Sequence, residues 1–230
     1  MLYKNKFQYR WSLYFFNCIF FFSFFLMQHL LFFLGPLYPI SGTTSSRSDD
    51  GSSPQIVLQR PFVYFGRSYN HIYVNHNGHL TFNASWSRYI PLQFPLHGSR
   101  DIIAPFWTDL DNRGNGQVIY NQYTNGNVLQ QATQDINAYF PGLHFNANWV
   151  FVATWYQVAY YPQTTIQAVL ISGGRYSFVL MNYGILAATT RNIQVRTYKE
   201  PNCKRCFKVS KLYSKRNAVM PMFKDKKHIL

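Results

Sequence analysis

The central part of the chain, residues 49–190, contains no cysteine, no lysine and no glutamate. Without cysteine it cannot carry a disulfide framework, but it is long enough to bury a hydrophobic core without one. The three missing residue types include many of the nucleophiles, acids and bases that enzymes use. The chain also lacks a G-x-S-x-G motif and a phosphate-binding glycine loop. We therefore predict a domain that is not an enzyme and needs no cofactor.

Acidic residues are scarce in the whole chain, which has 22 lysines and arginines, 8 aspartates and glutamates, and a net charge of +14. Such a charge is typical of proteins that bind nucleic acid or another polyanion. However, residues 49–190 carry six charges of each sign, whereas residues 191–230 carry twelve basic and two acidic residues. The central domain therefore has no basic face on average, and no nucleic-acid partner is expected. Polyanion binding, to heparan sulfate or nucleic acid, through the basic tail is the alternative function.

A long uncharged apolar run, Trp11–Leu34, follows three basic residues near the N-terminus. Basic residues before such a run direct the following chain across a membrane. Residues 1–35 are therefore predicted to be a signal peptide or a signal-anchor helix, with everything after them on the extracellular side. The run is longer than the apolar region of about 7 to 15 residues in a signal peptide. Because Ser41, Gly42 and Ser45 offer only weak cleavage positions, a type II membrane-anchored protein is favoured slightly over a secreted one.

Composition divides the rest of the chain into three parts. Residues 36–54 are predicted to be a linker, because they are rich in Ser, Thr, Gly and Asp and show no apolar periodicity. The folded domain is predicted over residues 55–190. Residues 191–230 are predicted to be a basic tail, disordered or loosely helical, without a core of its own.

Short β-branched and aromatic runs separated by turn residues indicate many strands. Apolar residues recur at helical spacing over Asn127–Phe140, and Pro141-Gly142 would end that helix. The sequence thus predicts a mainly β fold with one helix (α+β), an antiparallel sandwich or curled sheet, preceded by an N-terminal hydrophobic helix. Pro61 would place its strand region at an edge or a bend. The predicted strands are Ile56–Leu58, Phe62–Phe65, Tyr69–His76, His79–Phe82, Ile102–Trp107, Val118–Tyr120, Trp149–Tyr161, Ile166–Ile171 and Tyr176–Tyr183.

Asn77-Gly78 is a strong hairpin signal between two of these strands. A two-residue loop would place His76 opposite His79 and His71 on the other face of the hairpin. Three histidines in this arrangement cannot converge on a metal ion. We therefore interpret them as surface polar residues.

The stretch Asp101–Gly116 is predicted to be a strand that ends in a sharp polar turn. Asp109 and Asp111 begin like a calcium loop, Asp-x-Asp-x-x-Gly. The rest of that pattern fails, because Arg113 stands at the fifth position and Tyr120 at the twelfth, where the loop needs a glutamate. We interpret both aspartates as turn and capping residues and predict no metal site.

Two other motifs suggest covalent or metal chemistry. Cys203 and Cys206 form a single C-x-x-C with only His228 nearby, which is one ligand short of a structural zinc site. Asn83-Ala84-Ser85 is the only N-glycosylation sequon in the chain. Asn83 is therefore the predicted glycosylation site, provided that its part of the hairpin is exposed.

Large aromatic side chains are candidate anchors for a partner, because they dominate protein interfaces. Burial in the core is nevertheless the favoured interpretation for them. The candidates are Trp86, Tyr89, Trp155 and Tyr156.

Several ordered motifs between about Asp49 and Gln194 resemble one known family, the nidogen-type extracellular (NIDO) domain found in nidogens, alpha-tectorin and other matrix or cell-surface proteins. The chain looks most like the alpha-tectorin-like proteins of fish. The matching stretches are Asp49–Pro54, Tyr73–Asn75, Asn77–Phe82, Asp101–Asp111, Trp149–Trp155 and Ser177–Gly184.

The resemblance implies an extracellular, non-enzymatic module in cell-matrix adhesion, with extracellular-matrix or cell-surface proteins as partners. This chain departs from the family pattern after the domain. Where the family continues into a last strand region with Gly and Tyr, the present sequence becomes a lysine-rich tail. We therefore expect the C-terminal end of the domain to be truncated, which would leave a sheet edge exposed.

Overall fold

The computed structural model describes residues 37–93, 100–158, 163–198 and 217–223. The predicted N-terminal hydrophobic helix lies outside these ranges, and within them no helix is long and apolar enough to cross a membrane. In chain order the elements are β1 (Thr43–Thr44), β2 (Ile56–Tyr64), β3 (Arg67–Asn75), β4 (His79–Thr81), β5 (Ile102–Trp107), β6 (Gln117–Tyr123), α1 (Asn127–Tyr139), a 3₁₀ helix (Pro141–Leu143), β7 (Trp149–Val158), β8 (Thr164–Gly173), β9 (Tyr176–Tyr183), β10 (Gln194–Tyr198) and β11 (Asn217–Phe223).

The strands form two antiparallel sheets. One sheet has six strands in the order β1-β6-β7-β8-β9-β11, and the other has five in the order β10-β5-β4-β3-β2. Every pair of neighbouring strands runs antiparallel. The prediction of a mainly β fold with antiparallel sheets and one helix is therefore confirmed.

The main hydrophobic core lies between the two sheets. Side chains on a strand alternate between its two faces, and β7 shows this clearly. Trp149, Phe151 and Trp155 join the core that also contains residues of β3, β4 and β5. Val150 and Val152, at the intervening positions, pack instead against the helix on the opposite face of the six-stranded sheet. A strand that is covered on both faces has to be apolar at nearly every position, which explains its continuous apolar sequence.

Helix α1 covers the outer face of the six-stranded sheet. Its buried residues are Val128, Ala132 and Ile136, which lie on one side of the helix because they are spaced by four residues. The helix ends at Tyr139, one residue before the predicted end, and the 3₁₀ helix begins at Pro141. Phe140 follows the helix and stacks on Phe178 of β9 at 5.6 Å between ring centroids.

The turn between β3 and β4 differs from the prediction. Asn75 pairs with His79, so the loop holds three residues, His76 to Gly78, rather than two. Gly78 closes the loop with a positive φ of 79°, and a Cβ at this position would collide with the carbonyl oxygen of Phe106. Three-residue loops commonly end in a left-handed glycine. The extra residue moves His76 into the loop, and the predicted pairing of His76 with His79 is wrong.

The segment predicted as a linker is part of the fold in the structure. Thr43 and Thr44 form β1 and pair with Tyr120 and Ile119 of β6. Tyr38 is buried at 1 % exposure. A stretch without apolar periodicity can still be ordered when its backbone groups form hydrogen bonds with other parts of the fold.

Two strands lie in the stretch that was predicted to be a disordered tail. β10 pairs with β5, and β11 pairs with β9 over its full length from Asn217 to Phe223. These strands cover the two edges that a truncated domain would expose. The structure therefore differs from the predicted boundary at residue 190, because strand pairing depends on backbone hydrogen bonds that a basic composition does not prevent.

The remaining edge of the five-stranded sheet is β2, where Pro61 lies, as expected for a proline in a strand. The side chain of Gln122 on β6 reaches this edge. Its Oε1 accepts a hydrogen bond from the Gln59 backbone at 2.9 Å, and its Nε2 donates to the Val57 carbonyl oxygen at 2.9 Å. The Gln122 side chain thus satisfies backbone groups of β2 that could otherwise pair with the strand of another molecule.

Candidate functional site

The polar turn after β5 lies against the segment that precedes β2. The Arg113 guanidinium lies 2.7 Å from Asp49 and 2.8 Å from Asp111, and Arg191 pairs with Asp109. Asp50 accepts a hydrogen bond from the buried Asn77 side chain at 2.8 Å. We call this set the aspartate–arginine network; its charged members are Asp49, Asp50, Asp109, Asp111, Arg113 and Arg191.

The carboxylates of this network are close enough together to bind a cation. One oxygen each from Asp49, Asp50 and Asp109 lies within 4.8 Å of the others, and hard divalent cations prefer such ligands. Arg113 and Arg191 already neutralise carboxylates of the network. The arrangement therefore works as a set of ion pairs that ties the N-terminal segment and the Arg191 region to the turn.

Asp111 has the turn role that the sequence predicted. Its Oδ1 accepts a hydrogen bond from the Arg113 backbone at 2.9 Å, and its carboxylate also accepts from the guanidinium of the same residue. These bonds to Arg113 lower the pKa of Asp111 below its ordinary value. Asp111 is not one of the three carboxylates that converge, so the D-x-D spacing does not by itself build the cluster. No motif in the sequence indicates that Asp49 and Asp50 join the cluster.

His76 and His79 are buried, and the interpretation of both as surface residues is wrong. His76 lies in the three-residue loop, where its Nε2 is 2.8 Å from the Ser45 hydroxyl and its Nδ1 is 3.2 Å from the Ser48 hydroxyl. The Nε2 of His79 lies 3.1 Å from the Trp86 carbonyl oxygen. Burial lowers the pKa of both, that of His79 to about 4. These histidines are therefore neutral structural groups at physiological pH.

A cluster of aromatic and basic side chains covers the outer face of the five-stranded sheet. Trp86 packs on Trp107 of β5 at 4.9 Å between ring centroids, and Trp107 packs on His79 at 5.0 Å. The Arg100 guanidinium lies 4.9 Å from the centre of the Trp86 ring, a cation–π contact. Beyond these residues, Tyr89 and Ile90 are 45 % and 50 % exposed. We call this surface the Trp86 patch; it comprises Trp86, Arg88, Tyr89, Ile90 and Arg100.

The loop that carries the Trp86 patch is attached to the five-stranded sheet by hydrogen bonds. The Trp86 backbone donates to Oδ1 of the buried Asn75 at 2.7 Å, and Trp107 Nε1 donates to the Arg88 carbonyl oxygen at 2.8 Å. Arg88 Nε donates to the Ile90 carbonyl oxygen at 2.9 Å. The loop backbone is therefore attached to the sheet at Trp86 and Arg88, next to the exposed Tyr89.

Residues 70–219, more than half of the chain, match the family described as Nidogen-like domain. The chain belongs to this family. The resemblance inferred from the motifs is thereby confirmed, and the predicted likeness to fish proteins stays a prediction.

The nidogen-like domain is similar to alpha-tectorin of human and chicken. The human protein is 40 % identical over 178 residues, which are 74 % of this chain and 8 % of the human protein. The chicken protein is 39 % identical over 173 residues, 71 % of this chain and 8 % of its own length. Nidogen of Drosophila melanogaster is 31 % identical over 145 residues, 58 % of this chain and 10 % of that protein. The chain therefore spans a tenth or less of these relatives, and no solved structure matches it.

The four aromatic residues that the sequence offers as candidate anchors differ in burial in the nidogen-like domain. Trp155 is fully buried between the sheets, and its Nε1 donates to the Asn75 carbonyl oxygen at 3.0 Å. Trp86 and Tyr156 are half-buried, and Tyr89 is exposed. The core interpretation therefore holds for Trp155, whereas Tyr89 is available to a partner. Arg88, Ile90 and Arg100, which complete the patch, carried no recognisable pattern in the sequence.

Asn83 lies just after the end of β4 and is exposed. Its neighbours Thr81 and Phe82 are buried, so exposure at Asn83 begins where the strand ends rather than along a whole face. The hydroxyl of Thr81 donates to the Ala84 carbonyl oxygen at 2.6 Å and fixes the bend that carries Asn83. The sequon in this nidogen-like domain is thus sterically open.

Some predicted sites lie outside the described residues. These are the leader, residues 1–35, and the C-x-x-C motif at Cys203 and Cys206 with His228. Most of the basic tail is likewise outside, so polyanion binding through it stays a prediction.

Proposed function

We propose that this nidogen-like domain is a non-enzymatic extracellular module that binds a matrix or cell-surface protein. Membership in the family of nidogens and alpha-tectorin supports the extracellular setting. The fold supports a binding role because both sheets are fixed by an extensive core and the exposed loops rest on them. Binding sites are commonly carried by loops on a rigid scaffold.

The observation that carries the proposal is the exposed Trp86 patch. Trp, Tyr and Arg are the residues most enriched among those that dominate binding energy at interfaces. Here all three types lie together, with Tyr89 and Ile90 half exposed and Trp86 in contact with both Trp107 and Arg100. Because the loop backbone is already hydrogen-bonded to the sheet at Trp86 and Arg88, less conformational entropy would be lost on binding than from a loop without such bonds.

The proposal is tested by retention of the chain on extracellular matrix. The full chain with a C-terminal tag is expressed in a secretory cell line and incubated with decellularised fibroblast matrix. We expect saturable retention of the folded chain and none of a heat-unfolded sample. If the folded chain is retained no better than a tagged protein of unrelated fold, the proposed function is wrong.

We also propose that Asn83 carries an N-linked glycan. The side chain is exposed at a bend, three residues before Trp86, so a glycan would flank the patch. Treatment of the secreted chain with an N-glycosidase should increase its mobility on a denaturing gel, and Asn83→Gln should have the faster mobility without treatment. Equal mobility of treated and untreated wild-type chain would contradict this site.

A further inference from the structure

Tyr38, near the start of the described residues, is bound to both the six-stranded sheet and helix α1. The Tyr38 backbone donates to Gln167 Oε1 at 2.8 Å, and Gln167 Nε2 donates to the Tyr38 carbonyl oxygen at 3.0 Å. The Tyr38 hydroxyl donates to Asp135 of α1 at 2.8 Å. Gln167 is fully buried and Tyr38 is 1 % exposed. The two residues therefore close a gap between α1 and the sheet.

The following residues add a second attachment. The Ser45 backbone donates to the Val118 carbonyl oxygen at 2.8 Å, and its hydroxyl lies 2.8 Å from Nε2 of the buried His76. Gly42 has a φ of 124°, and a Cβ there would lie 2.5 Å from the Tyr120 carbonyl oxygen. The chain thus runs along β6 from Gly42 to Ser45.

The weak cleavage positions Ser41, Gly42 and Ser45 lie inside this attached segment. A cut at any of them would remove Tyr38 and its two hydrogen bonds to the buried Gln167 amide. The amide would keep one other partner at each polar atom, because its Nε2 donates to Thr154 at 2.9 Å and its Oε1 accepts from Asn182 at 3.3 Å. The lost hydrogen bonds and the cavity left by the large, buried Tyr38 side chain would both lower the free energy of unfolding.

We propose that any proteolytic processing of the leader cuts the chain at or before Leu37, so that the mature domain always keeps Tyr38. This inference rests on the extracellular function proposed above, because only a chain that enters the secretory route meets a signal-processing protease. The step is hydrolysis of one peptide bond by water, and it leaves a new amino terminus no later than Leu37. Ser41, Gly42 and Ser45 are not processing positions.

The direct test is the amino terminus of the full chain secreted from a eukaryotic host, read by mass spectrometry of its N-terminal peptide. The proposal expects a terminus at or before Leu37, and an uncut leader is consistent with it. A mature terminus at Tyr38 or later, in a folded secreted product, would overturn it.

A second test is independent of the natural leader and of any binding partner. Two chains are placed behind the same cleavable foreign signal, one beginning at Leu37 and one at Gly42. We expect the Leu37 form to be secreted, and the Gly42 form to be retained or to melt at least about 10 °C lower. Tyr38→Phe in the Leu37 form, which loses only the bond to Asp135, should remain secreted. Equal secretion and melting of the two forms would refute the inference without affecting the binding proposal.

Discussion

At the scale of single residues, Asn75 links several parts of the molecule. Its side chain donates to Thr81 at 3.0 Å and accepts from Ser52 at 2.8 Å, and it also accepts from the Trp86 backbone. One buried amide therefore joins the β3–β4 turn, the segment before β2 and the Trp86 patch. Buried amides with all partners present fix one arrangement, because any other arrangement leaves polar atoms unpaired.

The burial of His79 predicts a loss of stability in mild acid. Its pKa in the folded chain is about 4, below the value of about 6.5 for an exposed histidine. The unfolded chain therefore binds more protons between these values, and stability falls as the pH drops from about 6.5 to 4. We expect the free energy of unfolding to fall by about 2 kcal/mol between pH 7 and pH 5, as measured by urea unfolding. His76, whose pKa is also lowered, adds to the fall.

Two variants separate this effect from general acid sensitivity. His79→Gln should be less stable at pH 7 and should lose less stability on acidification than the wild-type chain. The matched control is His71→Gln, which changes a half-buried histidine on the same strand pair. A His79→Gln variant with an unchanged pH dependence would contradict the assignment.

The aspartate–arginine network predicts unequal effects for its two central aspartates. Asp109 pairs with Arg191 and is the less exposed, whereas Asp111 binds Arg113 at the surface. We expect Asp109→Asn to lower the free energy of unfolding by about 1 kcal/mol, and Asp111→Asn by less, because exposed ion pairs contribute little.

The double variant Asp109→Asn/Arg191→Gln tests whether the effect comes from the ion pair. Its loss of stability should be smaller than the sum of the two single losses, because both remove the same interaction. If the loss of stability in the double variant equals the sum of the two single losses in thermal unfolding, Asp109 and Arg191 do not interact measurably. A larger loss for Asp111→Asn than for Asp109→Asn would contradict the ranking.

At the scale of elements, β10 and β11 complete the two sheets. Without them, β5 and β9 would present unpaired backbone groups, which promote aggregation. We expect a chain that ends at Thr190 to aggregate in size-exclusion chromatography and to melt at a lower temperature. A chain that ends at Phe223 keeps both strands and serves as the control. If the shorter chain remains monomeric with unchanged melting, the two strands are not required.

This result also changes how the basic tail is tested for polyanion binding. Deleting residues 191–230 would remove two strands together with the charge, so lost heparin retention could reflect unfolding. Lys204→Gln, Lys208→Gln and Lys211→Gln together remove charge and leave both strands in place. Retention on heparin that survives this triple change would count against a tail-based site.

Local sequence patterns correctly predicted those strands and the helix that show a clear apolar run or periodicity of their own. β5 and β9 lie where the sequence placed them, and α1 ends one residue from its predicted end. The β3–β4 register could not be derived, because loop length rather than the Asn-Gly pair decides it. β1 and the burial of Tyr38 could not be predicted from local patterns, because their partners are distant in sequence. β1 pairs with β6, and the partner of Tyr38, Gln167, lies 129 residues away. Contacts of this kind leave no periodic signal in the sequence.

At the scale of the whole domain, successive layers position the Trp86 patch. Helix α1 covers one face of the six-stranded sheet, the main core lies between the sheets, and the loop after β4 covers the outer face of the five-stranded sheet. The patch is therefore supported by packed residues beneath it. The loop backbone is hydrogen-bonded to Asn75 of β3 at Trp86 and to Trp107 of β5 at Arg88.

The most direct test of this account is the affinity of patch variants for decellularised matrix. Tyr89→Ala/Ile90→Ala should weaken binding at least about tenfold, as expected when exposed anchor side chains are removed from an interface, with an unchanged melting temperature. The matched control is Val57→Ala, which removes a side chain that is 71 % exposed on β2, and it should bind like the wild-type chain. Equal affinity of the double variant and the wild-type chain would contradict the assignment of the Trp86 patch as the binding surface.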